Sequence, residues 1–173
     1  MRPGLTALIF GVLATIAMPM AAAPPPPPPE IASIPVTLLV DLGSGQTLWA
    51  KQPDLSFVPA SVTKVMTAYV AFEQIAAGKL DPQRNFIVPA EIARVWKGKG
   101  TSLFLSSGDK VEAETLLRGI TTVSANDAAV VLAQGYAGSV PAWSGLMNAE
   151  ARRLGMTHSH FNTPNGWPDE GQT

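Results

Sequence analysis

The stretch Pro59-Ala60-Ser61-Val62-Thr63-Lys64 decides how this chain is read, because it sets a hydroxyl and an amine at the mouth of a helix. The run it opens, SVTKVMTAYVAFEQIAAG from Ser61 to Gly78, contains only two charged residues, Lys64 and Glu73. Its larger apolar side chains, Val62, Val65, Met66, Tyr69 and Phe72, recur mostly at helical spacing, which predicts a helix buried inside a domain. Pro59 ahead and Gly78 behind supply start and stop signals. A spacing of i, i+3 then puts the Ser61 hydroxyl and the Lys64 amine on one helix face. A serine here is more often an N-cap than a nucleophile. That simpler reading leaves Lys64 unexplained, since a capping box takes Glu or Gln three residues on and a cation in the first turn opposes the helix dipole. Local rules broken without visible compensation are expected at functional sites.

Working outward, the N-terminus is not fold. Arg2 supplies a positive n-region, Leu5 to Met18 an apolar h-region, and Ala21-Ala22-Ala23 an A-x-A-like cleavage site, so residues 1–23 read as a secretory signal cleaved after Ala23. The apolar core is short for a membrane span, which makes an uncleaved anchor the lesser alternative. Pro24 to Pro29 then predicts a stiff polyproline II segment, and residues 24–33 a proline-rich spacer. The remaining 34–173 is expected to form one domain.

Composition narrows the chemistry. The absence of cysteine excludes a disulfide framework, thiol nucleophiles and thiolate zinc sites, leaving covalent chemistry to oxygen or nitrogen. A net charge of −1 gives no basic field for nucleic acid, and no nucleic-acid motif is present.

In order along the chain, Val36 to Val40 and Gln46 to Ala50 are apolar runs around the glycine-rich Asp41-Leu42-Gly43-Ser44-Gly45, a β-hairpin pattern. Lys79 to Val88 reads as a turn and a short extended piece, and Pro89 to Arg94 as a short helix begun by proline. Trp96 to Ser102 is a small cationic loop, for which a solvated connector is the simplest reading. Leu103-Phe104-Leu105 looks like a short strand followed by a turn, and Glu112 to Ile120 like a helix with Leu116 and Leu117 inward. The small and apolar residues from Ala128 onward predict a second buried helix, entered through the polar Ser124-Ala125-Asn126-Asp127; taken alone, those polar residues are ordinary caps. A third helix from Ser139-Val140-Pro141 to Leu154 would carry Trp143, Met147, Ala151 and Leu154 on its core face, with Gly155 as its stop. His158 and His160 could form a metal pair, but no third ligand is spaced for it and a hydrogen-bonded structural role is the better reading. Pro164-Asn165-Gly166-Trp167-Pro168 is turn chemistry.

Together, PASVTKVMTAYVAFE, LLRGITTVSANDAAVVLA and LGMTHSHFNTPNG resemble the N-terminal half of serine-type D-Ala-D-Ala carboxypeptidases, the low-molecular-mass penicillin-binding proteins. The likeness runs from about Val36 to the last residue and includes DLGSGQTLW and FLSSGDKVEAETLLRGI between the motifs. S-x-x-K alone is a loose pattern; joined in order to S-x-N with these flanks and an export signal, it is specific. The resemblance implies an α/β (α+β) transpeptidase and β-lactamase-like fold, with an antiparallel sheet, helices on both faces and the site between sheet and helical lobe. It makes Ser61 the acylated nucleophile and Lys64 its base. Ser124 would relay the proton, and Asn126 would bind the substrate peptide and orient Lys64. The implied substrate is a peptidoglycan stem peptide ending in D-Ala-D-Ala, with β-lactams as inhibitors, a periplasmic location and no cofactor or metal.

Two departures qualify the resemblance. Ala125 stands where many relatives carry glycine, at a position that contributes backbone more than side chain. The family's third motif, K-T-G, belongs well beyond Asn126 and does not occur in these residues, nor do the family's C-terminal domain and amphipathic membrane anchor. The expectation is therefore a truncated carboxypeptidase domain, weakly active or inactive alone. The alternatives are a non-catalytic exported peptidoglycan-binding scaffold, or a β-lactamase or endopeptidase on the same fold.

Overall fold

A glycine-rich turn reverses the chain where the two apolar runs predict it. In the computed structural model, which describes Pro26 and residues 29–173, β1 (Thr37–Val40) pairs antiparallel with β2 (Thr47–Lys51), Leu38 opposite Ala50 and Leu39 opposite Trp49. The turn is shaped by Asp41, whose carboxylate accepts from the Ser44 hydroxyl at 2.5 Å and the Gly43 N–H at 3.0 Å. These bonds, Ser44's first, hold its pKa below the usual carboxylate value. Trp49 Nε1 donates across the hairpin to Thr37 Oγ1 at 2.7 Å. The expected signal, residues 1–23, and most of the proline tract lie outside the described residues. Within the expected spacer, Pro29–Ala32 forms one helical turn, α1, overlapping the expected extended proline tract only at Pro29. Proline fits the first position of a helix because its missing N–H has no partner to lose there. No described helix is long and apolar enough to cross a membrane.

The first compact unit ends at Leu55, and the second spans Ser56–Thr173. In the second, a 3-10 turn (Ala60–Val62) runs into α2 (Thr63–Ala76). There follow β3 (Asn85–Ile87), α3 (Ala90–Trp96), β4 (Lys110–Glu112), α4 (Ala113–Val123), α5 (Asn126–Ala137) and α6 (Val140–Arg153). β3 and β4 pair antiparallel with Phe86 opposite Val111. The one antiparallel sheet expected from the resemblance is represented, among the described residues, by two separate two-stranded pieces.

The centre of this unit is α5. Its residues from Ala128 to Ala133 are all buried, as an apolar-all-round helix must be, and α4 and α6 pack on it. Leu116, Leu117 and Ile120 come from α4, and Trp143, Met147 and Ala151 from α6. Two glycines permit close approach: a Cβ on Gly135 would lie 2.4 Å from the Phe86 ring, and one on Gly119 2.6 Å from Leu103. Ser139 caps α6 by accepting from Ala142 N–H at 3.2 Å, as its sequence predicts.

Three expectations are corrected. The buried side of α2 is formed by Thr63, Lys64, Met66, Thr67, Ala68, Val70 and Ala71, while Val62, Val65 and Phe72 are exposed. This is the side on which α4 and α6 pack against α2. Leu103-Phe104-Leu105 is not a strand. It wraps the buried Asp127, whose carboxylate accepts from the Ser102 hydroxyl and from the N–H groups of Leu103, Leu105 and Ala128. Phe104 takes φ 58°, which turns its ring outward. Leu154 follows the last turn of α6 and is exposed, not core.

These burial assignments predict opposite outcomes for two apolar deletions. In urea unfolding, Trp143→Ala should cost about 3–5 kcal/mol. Val65→Ser, on the exposed side of α2, should stay within about 0.5 kcal/mol of the parent chain.

Candidate active site

Lys64 enters the second position of α2 and is only 3% exposed. Its Nζ lies 3.0 Å from Ser61 Oγ, one helical turn back, and donates to the backbone carbonyl of Asn165 at 2.8 Å. The i, i+3 juxtaposition read from the sequence is therefore present. Ser61 sits in the 3-10 turn ahead of the helix and is exposed, and neither that turn nor α2 has a side-chain N-cap bond. The simpler reading of Ser61 as a cap fails on that point, and its hydroxyl faces an amine. Burial pushes the Lys64 amine down from 10.5 to about 8, since an ammonium loses its hydration there without an acidic partner among the described residues to replace it.

The partner that sequence reasoning missed is Asn165. The run Pro164-Asn165-Gly166 reads as a turn, and it is one, but it is buried under the start of α2. Pro164 O accepts from Thr67 Oγ1 at 2.6 Å, and Asn165 Oδ1 accepts from Trp167 N–H at 3.1 Å, closing the turn on itself. Gly166 has φ +73°, and a Cβ there would lie 1.7 Å from the Ala60 carbonyl oxygen. Only glycine fits both demands. Ala60, immediately before Ser61, itself has φ 47°, an uncommon conformation for a residue with a Cβ. Thr63 Oγ1 and Asn165 Nδ2 are buried beside this contact without a hydrogen-bond partner among the described residues. The signal that could have found the turn was its asparagine–glycine pair, which marks a left-handed backbone; nothing local says what that backbone touches.

Ser124 and Asn126 come from the junction of α4 and α5. Ser124 ends α4 in the left-handed region, φ 57°, which breaks the helix and starts the next one two residues later. Ser61, Lys64 and Ser124 line one cavity of about 540 Å³, whose remaining wall is largely apolar: Val65, Tyr69, Phe72 and Ile120. Asn126 is buried, and its Nδ2 donates to Lys99 O at 3.0 Å while its N–H donates to Thr101 O at 2.9 Å. In this structure the Lys64 amine bonds to the Asn165 carbonyl, and the Asn126 amide ties down the Lys99–Thr101 loop. His158 and His160 are exposed, and their backbone groups bond to Thr173. No cluster of metal-ligating side chains occurs among the described residues.

Residues 20–173 match the family described as D-alanyl-D-alanine carboxypeptidase. The chain belongs to that family. It is 38% identical over 138 residues to the D-alanyl-D-alanine carboxypeptidase DacA of Escherichia coli, a match covering 78% of this chain and 34% of the relative. The family assignment extends to three dimensions. The crystal structure of penicillin binding protein 5 from Haemophilus influenzae superposes with a TM-score of 0.76 at 33% identity, over 85% of this chain and 42% of that one. The carboxypeptidase DacD from Francisella tularensis gives 0.74 at 32% identity, over 81% and 33%. The mixed α/β transpeptidase-like fold expected from the motifs is thus the fold of this family member. The chain spans about a third of the length of the curated relatives it matches.

The depressed amine links folding to pH. Lys64 titrates near 8 folded and near 10.5 in an unconstrained chain, so between those values the unfolded state binds more protons. Stability is therefore lowered in full below about pH 8 and recovers as pH rises toward 10.5, by on the order of 2–3 kcal/mol. Urea unfolding at pH 7 and pH 10 should show this rise in the parent chain and a clearly smaller one in Lys64→Met.

Proposed function

We propose that this chain carries the acylating half of a periplasmic serine-type D-Ala-D-Ala carboxypeptidase, with Ser61 as nucleophile. The observation that supports this most directly is the buried Lys64 amine 3.0 Å from the Ser61 hydroxyl, with a pKa of about 8. At pH 7 about a tenth of such an amine is neutral, against fewer than about one in a thousand for a free lysine. An amine has two N–H groups and one lone pair. Donation of one N–H to Asn165 O leaves the lone pair free to face Ser61 Oγ and take its proton.

Ser61 Oγ then attacks the carbonyl of the penultimate D-Ala of a stem peptide. The Ser61 N–H, ahead of α2, donates to the developing oxyanion, as first-turn N–H groups lack intrahelical partners. Collapse breaks the D-Ala-D-Ala bond, and the proton held by Lys64 passes through the Ser124 hydroxyl to the leaving amine. Asn126 binds the substrate's peptide group. Water hydrolyses the ester and returns Ser61 to its starting state. A β-lactam acylates the same oxygen. No metal or cofactor enters these steps. Residues 1–23 serve as the export signal.

A fluorescent penicillin should label the chain covalently, and Ser61→Ala should abolish the label. Lys64→Ala should slow labelling by at least about 10²-fold, the usual scale for a positioned base. The rate should rise about tenfold per pH unit below pH 8 and level off above it, since only the neutral amine accepts a proton. Absence of labelling, together with peptidoglycan binding that survives Ser61→Ala, would replace this reading with a non-catalytic wall-binding one.

A further inference from the structure

Outside the cavity that holds Ser61, three side chains converge: Trp96, at the end of α3, Lys99 in the loop beyond it, and Trp167 after the Asn165–Gly166 turn. The two indoles meet edge to face with centroids 5.3 Å apart, and Lys99 Nζ lies 5.7 Å from the Trp96 centroid and 5.8 Å from that of Trp167. The sequence suggests only a solvated connector here. The fold gives the loop a fixed shape instead: Gly98 and Gly100 take positive φ on either side of Lys99, and Lys99 N–H bonds back to Trp96 O.

What the cluster offers a ligand is all of one kind. Trp49 and Trp143 bond their indole N–H groups within the protein, whereas those of Trp96 and Trp167 have no acceptor among the described residues. The Lys99 ammonium has no acidic partner there either; each described ion pair involves Arg118 or Arg153. Lys99 is exposed, so its ammonium is open to a ligand from solvent, and its contact with two indole rings limits where it can lie. Both attachment points lead to the candidate site. The Lys99 carbonyl takes the Asn126 amide, and Trp167 N–H closes the turn whose carbonyl holds Lys64.

We propose that Lys99, Trp96 and Trp167, outside the cavity that holds Ser61, form a subsite for a carboxylate that branches from the substrate peptide. This rests on the function proposed above and adds to it a preference for acidic stem peptides. A free α-carboxylate on a γ-linked D-glutamate residue is such a group; its carboxamide has the same shape without the charge. Lys99 supplies the charge, and the indole N–H groups supply further donors.

The test compares two synthetic pentapeptides, acetyl-L-Ala-γ-D-Glu-L-Lys-D-Ala-D-Ala with the glutamate α-carboxylate free or amidated. Binding is followed by calorimetry to the Ser61→Ala chain, which cannot be acylated. The free acid should bind about fivefold tighter than the amide, the upper range for an exposed ion pair. That preference should shrink with added salt, disappear in Lys99→Ala and return in Lys99→Arg. An equal loss of affinity for both peptides in Lys99→Ala would mean a structural role and overturn the proposal, as would the absence of any preference in the Ser61→Ala chain. Penicillin labelling of the unaltered chain separates the two readings. Labelling without the carboxylate preference removes only the subsite; no labelling and no peptide binding removes both.

Discussion

A lysine amine held out of water between a hydroxyl and a backbone carbonyl is the contact on which the second unit of this protein is built. Burying an ammonium is costly, and among the described residues no carboxylate lies beside Lys64 to offset the cost. Its compensation is one carbonyl, 101 residues further along the chain. For that carbonyl to arrive, the Pro164–Gly166 turn must pass under the start of α2 with almost no clearance. Hence the glycine against Ala60, the hydroxyl of Thr67 on Pro164, and the unusual φ of Ala60 itself. Strain of this kind persists only where the surroundings over-determine it.

The same economy governs the junction of α4 and α5. Ser124 takes a left-handed conformation that stops one helix, and the following residues begin the innermost helix of the unit. Asn126 and Asp127 are adjacent and both buried, yet each fastens a different part of one loop. Asp127 accepts from the Ser102 hydroxyl and the Leu103 and Leu105 N–H groups, while Asn126 donates its side-chain amide to the Lys99 carbonyl and its backbone N–H to the Thr101 carbonyl. A side chain that looks like a helix cap in the sequence becomes, in the fold, an anchor for a segment more than twenty residues away. The loop it anchors is thereby rigid enough to present Lys99 over two indoles.

The site has two characters as a result. Around Ser61, Lys64 and Ser124 the wall is mostly apolar, with Val65, Tyr69, Phe72 and Ile120, which keeps the amine poorly solvated and its pKa low. Around Lys99 the groups are hydrogen-bond donors. The helix α2 serves the first of these by leaving Val65 and Phe72 exposed at the cavity while Met66, Thr67, Ala68, Val70 and Ala71 are buried.

The amino-acid sequence by itself determined which residues carry reactive groups and how they are spaced along a helix. Ser61 and Lys64 lie three apart, and helical geometry brings them together whatever surrounds them. It also determined the hairpin, the inner helix α5 and the capped start of α6, since turn residues and apolar periodicity are local properties. The tertiary structure alone decided which face of α2 is buried, because that depends on where α4 and α6 pack and not on side-chain size. It alone turned Leu103-Phe104-Leu105 from a strand into a wrap around Asp127, since backbone N–H groups bond to the strongest acceptor within reach. And it alone brought Asn165 to Lys64, because a backbone carbonyl leaves no mark in the sequence of the residue that bears it.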